Sequence, residues 1–487
     1  MSTRIANGDS RPSGASELSF WPRVREFAVP ASMIETATAR RLVGDWAGAC
    51  AAAGVDVDLN LRSVARDHGR ELAACVRDDL RHLAPDLLRW HMPRIAPDGL
   101  LRPGLTLALA RYGGGARNAG RAVQLVVRTA PAWADAGQRI SLALWDGGGG
   151  RSRGSYPHPR PHDPHPHPRP YDPHPYPRPY DPHPHSRPSR RFRLDLHRHL
   201  WDARRAGELR VRAGDGLGPG PSGAVPSYGR RCAVDRWADE ARLLLRAEGR
   251  PVGAVLVRLG GRHRLVLEGL ADEGGPRVVA AGKGRTSALP VLPDAATWVL
   301  PDLELLRSGV IEAGRLHPLV ASALVPEADP SPAPGPTEPP GQPRSVDCRG
   351  ARHRIGLVDG VLAPLDHDPA EIQREELLTA LTGTPLPCLQ AIDEAHRSPE
   401  CLPDVRERLD HGDIAGALAV VEGLLGPAAV LRDGALREEL EAASRRRITY
   451  GLFRAGLTGP GPGRVRYDEG GRPPRLQRTH ARHATRP

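Results

Sequence analysis

The sequence predicts an α+β multidomain protein: small antiparallel sheets with helices, a C-terminal hairpin plus helical bundle, and a disordered Pro/His/Arg-rich insertion and basic tail. Three observations carry this reading. Helix-period apolar stretches are followed by short apolar runs with Gly or Pro between them. That order occurs twice, first over residues 29–145 and again over 234–281. Pro-rich segments then separate regions that have ordinary folding signals.

The plainest separator lies at residues 160–187. A nine-residue unit, Arg-Pro-(His/Tyr)-Asp-Pro-His-Pro-(His/Tyr)-(Pro/Ser), runs three times, its register marked by Asp163, Asp172 and Asp181. Proline at nearly every second position fixes φ, removes amide donors and pushes each preceding residue toward an extended conformation. Such a segment joins neither a helix nor a central strand. The chain of 487 residues is also long for one core, which suggests two to four units.

Element by element, residues 1–20 read as a disordered N-terminus and 21–212 as an N-terminal α+β domain carrying the insertion at 151–191. Helical spacing runs from Val29 to about Trp90, with strands at 104–110, 122–128 and 140–145 and helical character at 196–209. A linker covers 213–227. The middle domain, 228–325, offers a helix at 234–247, strands at 254–259, 263–268 and 277–281, and helix again at 303–324 broken at Pro318. Residues 326–345 form a Pro-rich linker. In the C-terminal domain, 346–458, Asp359-Gly360 between apolar runs is a strong hairpin signal. Asp368, Pro369 and Glu371 then supply an N-cap, a first-turn proline and an acidic residue, and Gly383 ends that helix. Further helices are expected at 387–397, 403–411, 413–425 and 434–449. The remainder, 459–487, reads as a disordered basic tail.

One internal echo links distant regions. Residues 44–51 (Gly-Asp-Trp-Ala-Gly-Ala-Cys-Ala) match 412–419 (Gly-Asp-Ile-Ala-Gly-Ala-Leu-Ala) at six of eight positions. Glycine ending one helix and aspartate capping the next would make both stretches helical corners. Two distant copies do not make a solenoid.

The net charge is +11, and its placement limits what it means. Residues 151–191 carry eight arginines against three aspartates, and 459–487 carry seven against Asp468 and Glu469. Each segment is therefore +5, which leaves the remaining chain near neutral. Nucleic-acid contact is expected only through these Arg-rich segments. Lys283 is the only lysine, so arginine richness also reflects coding bias. Six cysteines without C-x-x-C spacing read as reduced thiols, and the polar N-terminus lacks the apolar core of a signal peptide. No apolar run approaches the ~20 residues of a membrane span. A soluble cytoplasmic protein without membrane attachment is expected.

Chemistry-bearing motifs are sparse. Lys283 sits in a Gly-Lys-Gly turn, but Arg277 replaces the first glycine of a phosphate loop and Gly284 replaces its hydroxyl residue. Asp393-Glu-Ala-His396 lies on a helical face without such a loop beside it. Within the insertion, His165, His167, His174 and His183 are candidate metal ligands, although a proline-stiffened chain does not close a tetrahedral cage. The most polar constellation in a structured region is His353 across the hairpin from Asp366 and His367, candidates for metal ligation or acid/base work. Cys388 and Cys401, with His396 between them, match no closed metal pattern and read as core residues.

The expected function is a non-enzymatic interaction or scaffold protein with an unknown protein partner and no cofactor. One alternative is a metal-dependent enzyme or metal-binding module using the His353/Asp366/His367 region. Another is nonspecific nucleic-acid contact through the insertion and tail.

Overall fold

The computed structural model describes residues 19–113, 122–135, 137–147, 187–214, 230–260, 263–271, 275–282, 286–326, 343–383 and 385–457. The histidines of the insertion (His165, His167, His174, His183), the turn at Lys283 and the basic tail lie outside the described residues. About 50% of the structure is helix and 18% strand, in several small sheets. The fold is a mixed α+β multidomain one.

The first region opens with helices Ala31–Leu42 (α1), Trp46–Ala52 (α2), Leu61–His68 (α3), Arg70–His82 (α4) and Pro85–His91 (α5). A three-residue strand, Val55–Val57 (β1), interrupts them and pairs in parallel with Ile140–Trp145 (β4). The sequence reading runs helix through this stretch. A strand of three residues has no periodicity to detect, and it forms only because the edge of β4 is there to receive it. Thr106–Tyr112 (β2) and Val123–Thr129 (β3) complete a sheet of order β1-β4-β3-β2, antiparallel apart from β1. Alternation places Leu107, Leu125, Val127, Ile140 and Leu142 on one face, in a single apolar cluster with Val76, Leu80, Leu87, Leu88 and Trp90 of the helices. The helix expected over 196–209 is replaced through residue 208 by three short 3-10 segments, Leu194–Leu196, Arg198–Leu200 and Ala203–Glu208. Their carbonyls and amides close local turns, while Trp201 is fully buried and donates to the Leu194 carbonyl at 3.0 Å.

The middle region comprises helix Trp237–Ala247 (α6) and an antiparallel sheet of Val255–Arg258 (β5), Arg264–Glu268 (β6) and Arg277–Ala280 (β7). Its own cluster joins Trp237, Leu244, Val255, Val257 and Leu267. Helices Pro301–Arg307 (α7) and Pro318–Leu324 (α8) follow. Pro318 starts α8, its missing N–H costing nothing at that position. Leu305, Leu316, Val320 and Ala323 of this segment pack into the first region's cluster.

In the C-terminal region the expected hairpin gains a third strand. Arg344–Cys348 (β8), Ala351–Val358 (β9) and Val361–Pro364 (β10) form one antiparallel sheet. β8 emerges from the Pro-rich stretch with a single large apolar residue, Val346, so alternation did not announce it. Asp359 and Gly360 both have positive φ (51° and 76°), as a two-residue primed turn requires. Helices Pro369–Thr382 (α9), Pro387–Arg397 (α10), Leu402–His411 (α11), Ile414–Leu425 (α12) and Ala435–Arg454 (α13) complete the bundle. The described residues contain no helix long and apolar enough to cross a membrane.

The two echoed octapeptides fold alike. Gly44 and Gly412 have φ of 78° and 90°, and Asp45 and Asp413 cap the next helix by accepting from Gly48 N (2.8 Å) and Gly416 N (2.9 Å). An arginine five residues earlier, Arg40 or Arg408, braces each aspartate. A Cβ at Gly48 or Gly416 would fall 2.1 Å from the capping carboxylate, which explains why the second glycine recurs. The second corner also seats the C-terminal region on the first. Gly412 packs against the backbone of Gly137, and Arg89 donates to the carbonyls of Ala28 and His411.

His411 makes that seat sensitive to acid. Burial, then the charges of Arg94, Arg89 and Arg23, push its pKa down to about 3. Glu407, 3.7 Å from its Nε2, does not offset them. In the unfolded chain a histidine titrates near ~6.5. Below that pH the unfolded state takes a proton that the folded state refuses, so stability falls from about pH 6.5 toward about pH 3. Urea midpoints at about pH 7.5 and 5.5 should therefore differ less in His411→Leu than in wild type, by about 1.4 kcal/mol. Equal acid losses in the two proteins would contradict this.

Candidate metal centre

Three side chains from separate parts of the C-terminal region meet beside the three-stranded sheet, and a fourth, His353, packs against one of them. Cys348 ends β8, where Arg349 and Gly350 (φ 54° and 80°) reverse the chain into β9 in a second primed two-residue turn. The register pairs Cys348 with Ala351 and Val346 with His353, so Cys348 and His353 are diagonal neighbours on one face. The third group arrives after β10. Leu365 N donates to the Arg354 carbonyl at 2.8 Å, and Asp366 accepts from Arg354 N at 2.7 Å and from its guanidinium. This clamp turns His367 inward, its ring centroid 4.2 Å from that of His353. The fourth group, Cys388, is the second residue of α10, directly after a first-turn proline.

The sulfur atoms of Cys348 and Cys388 and a ring nitrogen of His367 all lie within 4.8 Å of one another. Both cysteines are fully buried, and the His367 side chain is 4% exposed. Nε2 of His367 and Nδ1 of His353 are buried without a hydrogen-bond partner. On its other nitrogen, His367 faces the Glu371 carboxylate at 3.5 Å, one turn into α9. Burial, then hydrogen bonding to the Cys348 thiol, pushes the Cys388 thiol up to about 11.

The arrangement suits a thiophilic cation. Zinc ligands at about 2.0–2.3 Å in a tetrahedron place donor atoms roughly 3.5–3.8 Å apart. A contraction of about 1 Å from the observed spacing reaches that geometry. Two thiolates with imidazole nitrogen match zinc in ligand type, and a carboxylate behind a ligating histidine fixes its tautomer and orientation. Metal binding would expel the two thiol protons.

The chain matches no known protein family, no curated protein and no solved structure. The site must therefore be read from its own residues. Of those singled out from sequence, His353 and His367 come together here. Asp366 instead serves Arg354, whose hydrogen bonds hold its carboxyl down to about 2. Cys348 was not singled out, and Cys388 was weighed only with Cys401. No short spacing joins Cys348 to Cys388; strand register and the approach of α10 do. Cys401 lies at the N-cap of α11 and takes no part in the cluster. Asp393 is engaged by Arg397 and Arg432 on the surface of α10, and is a solvated ion pair.

Proposed function

We propose that the protein is a non-enzymatic interaction protein whose C-terminal module is held by a structural zinc ion. Cys348 and Cys388 serve as thiolate ligands, His367 and His353 as imidazole ligands, and Glu371 orients His367. The observation that carries this reading is the convergence of two buried thiols with a ring nitrogen of His367, beside which the His353 ring is packed. With His353 as the fourth donor no position would be left for a reacting water, which favours a structural over a catalytic role. A reducing compartment such as the cytoplasm suits free thiols of this kind, and all six cysteines are unpaired. The interaction part of the reading draws on α9, whose Leu377, Leu378 and Leu381 are 69%, 48% and 84% exposed. Leucines grouped on one helical face are a usual feature of protein-binding surfaces.

Metal analysis of the purified protein tests the assignment. A chain lacking residues 151–186, and so free of the histidine-rich repeat, should retain one equivalent of zinc. Cys388→Ser should lose it. Cobalt substitution should give a thiolate-to-metal charge-transfer band in the first protein and none in the second. Zinc that disappears with the repeat but survives Cys388→Ser would refute the assignment.

A further inference from the structure

A second feature lies in the folded body, where the first region meets the middle sheet. The segment 187–193 runs between them. On one side Ser189 N donates to the Thr106 carbonyl at 2.8 Å; on the other, Asp294 N donates to the Arg191 carbonyl at 2.9 Å. This path brings the charge of Arg191 to bear on Arg102, which precedes β2, and on Arg258, at the end of β5. Arg258 stands directly opposite Arg264 in the β5–β6 register. Two like charges at one cross-strand position destabilise a hairpin, so the pairing runs against the folding interest of the sheet.

The row is short of acids. Asp294 is used by the Arg191 guanidinium at 2.5 Å. Arg102 and Arg258 each have a buried Nε without a hydrogen-bond partner. Burial, then the charge of Arg191, lowers the pKa of both, and Arg264 adds to the effect at Arg258. Among the described residues, Asp294 is the one carboxylate whose charge acts on Arg102, Arg191 and Arg258. Arg187 and Arg190, both exposed, lie on the same segment as Arg191.

We infer that Arg102, Arg191, Arg258 and Arg264 form a docking row for the phosphate backbone of duplex nucleic acid. A single phosphate is best held by convergent donors and a nest of backbone amides. Here the charges come from three segments, the approach to β2, residues 187–193 and the β5–β6 hairpin, and so spread across a junction, as a polymer of evenly spaced phosphates requires. Phe192, the aromatic ring beside Arg191, is partly buried against the first region's core, so base stacking of a single strand finds no platform in it. The row belongs to the folded body, whereas the composition reading assigned nucleic-acid contact to the insertion and tail alone. It is independent of the metal centre, so either can fail without the other.

The test is fluorescence anisotropy of a labelled DNA duplex with the full chain, with affinity measured across salt between about 50 and 200 mM. Insertion and tail stay in place in every protein, so their contribution cancels. Arg102→Ala/Arg258→Ala/Arg264→Ala should flatten the slope of log K against log salt by about 2–3. Arg102→Lys/Arg258→Lys/Arg264→Lys should keep most of the slope. Arg264→Glu, an exposed change on the hairpin, should by itself weaken binding and flatten the slope by about 1, guarding against a misfolded triple variant. A slope unchanged in both the alanine triple and Arg264→Glu would overturn the inference. So would a wild-type chain that does not bind the duplex, or one that a phosphorylated peptide strips from it at a lower concentration than competing duplex.

Discussion

Chelating the metal is expected to loosen the C-terminal module while leaving the first two regions folded. The proposed zinc ligands come from the end of β8, from β9, from the loop after β10 and from the start of α10. Without the cation, two buried thiols and two unpartnered ring nitrogens remain in a space enclosed by the sheet and α10. In peptides folded by zinc alone the metal contributes about 10–16 kcal/mol. Here Ile355, Leu362, Ile392, Val405 and Leu425 supply an apolar cluster of their own, so about half that range is expected. Hydrogen exchange should report the change at β8, at β9 and in the first turn of α10. Protection in β2, β3 and β4 should persist, because their cluster contains no residue of the metal centre. Unchanged protection at β8 and α10 after complete removal of zinc would show that the metal does not hold the module.

The second large effect belongs to the first region. Arg25 is buried between the rings of Trp21 and Trp90, 4.7 and 4.3 Å from their centroids. It donates to the Trp90 carbonyl and to Asp302 Oδ2, each at 2.7 Å, while Trp90 Nε1 donates to the other Asp302 oxygen at 3.1 Å. Burial lowers the pKa of Arg25, and the Asp302 charge opposes the shift. Asp302→Ala removes that counter-charge and leaves a guanidinium in an apolar site. The expected loss is about 3–5 kcal/mol, read as a fall in the urea midpoint. Arg25→Met/Asp302→Leu should recover most of it, because replacing both charges leaves no unpaired ion. A loss below about 1 kcal/mol for Asp302→Ala would mean that water reaches Arg25 once the partner is gone.

These two sites differ in how they relate to sequence. Around Asp359-Gly360, Asp368 and Gly383, the local chemistry already specifies a turn, a cap and a stop, and the structure adopts all three. The paired corners at Gly44-Asp45 and Gly412-Asp413 were equally readable, since φ and a side-chain cap depend on neighbours within four residues. Half of the metal centre was visible in the same way. His353 and His367 flank one hairpin, and the Asp359-Gly360 turn brings their strands together. The thiols were not visible, because Cys348 and Cys388 lie forty residues apart and the helix α9 runs between them. Arg25 and Asp302, separated by 277 positions, gave no signal at all.

What the amino-acid order determined by itself was local: the α+β class, the placement of most strands and helices, the Asp359-Gly360 turn and the helix caps. Tertiary structure decided β1, the sharing of residues 301–324 with the first region's cluster, the approach of Cys348, His367 and Cys388, and the grouping of the arginines. The physical reason is reach. Backbone preference and hydrogen-bonded caps act over a few residues, whereas a ligand set or a line of charges exists only after distant segments have packed and their apolar faces have fixed the register.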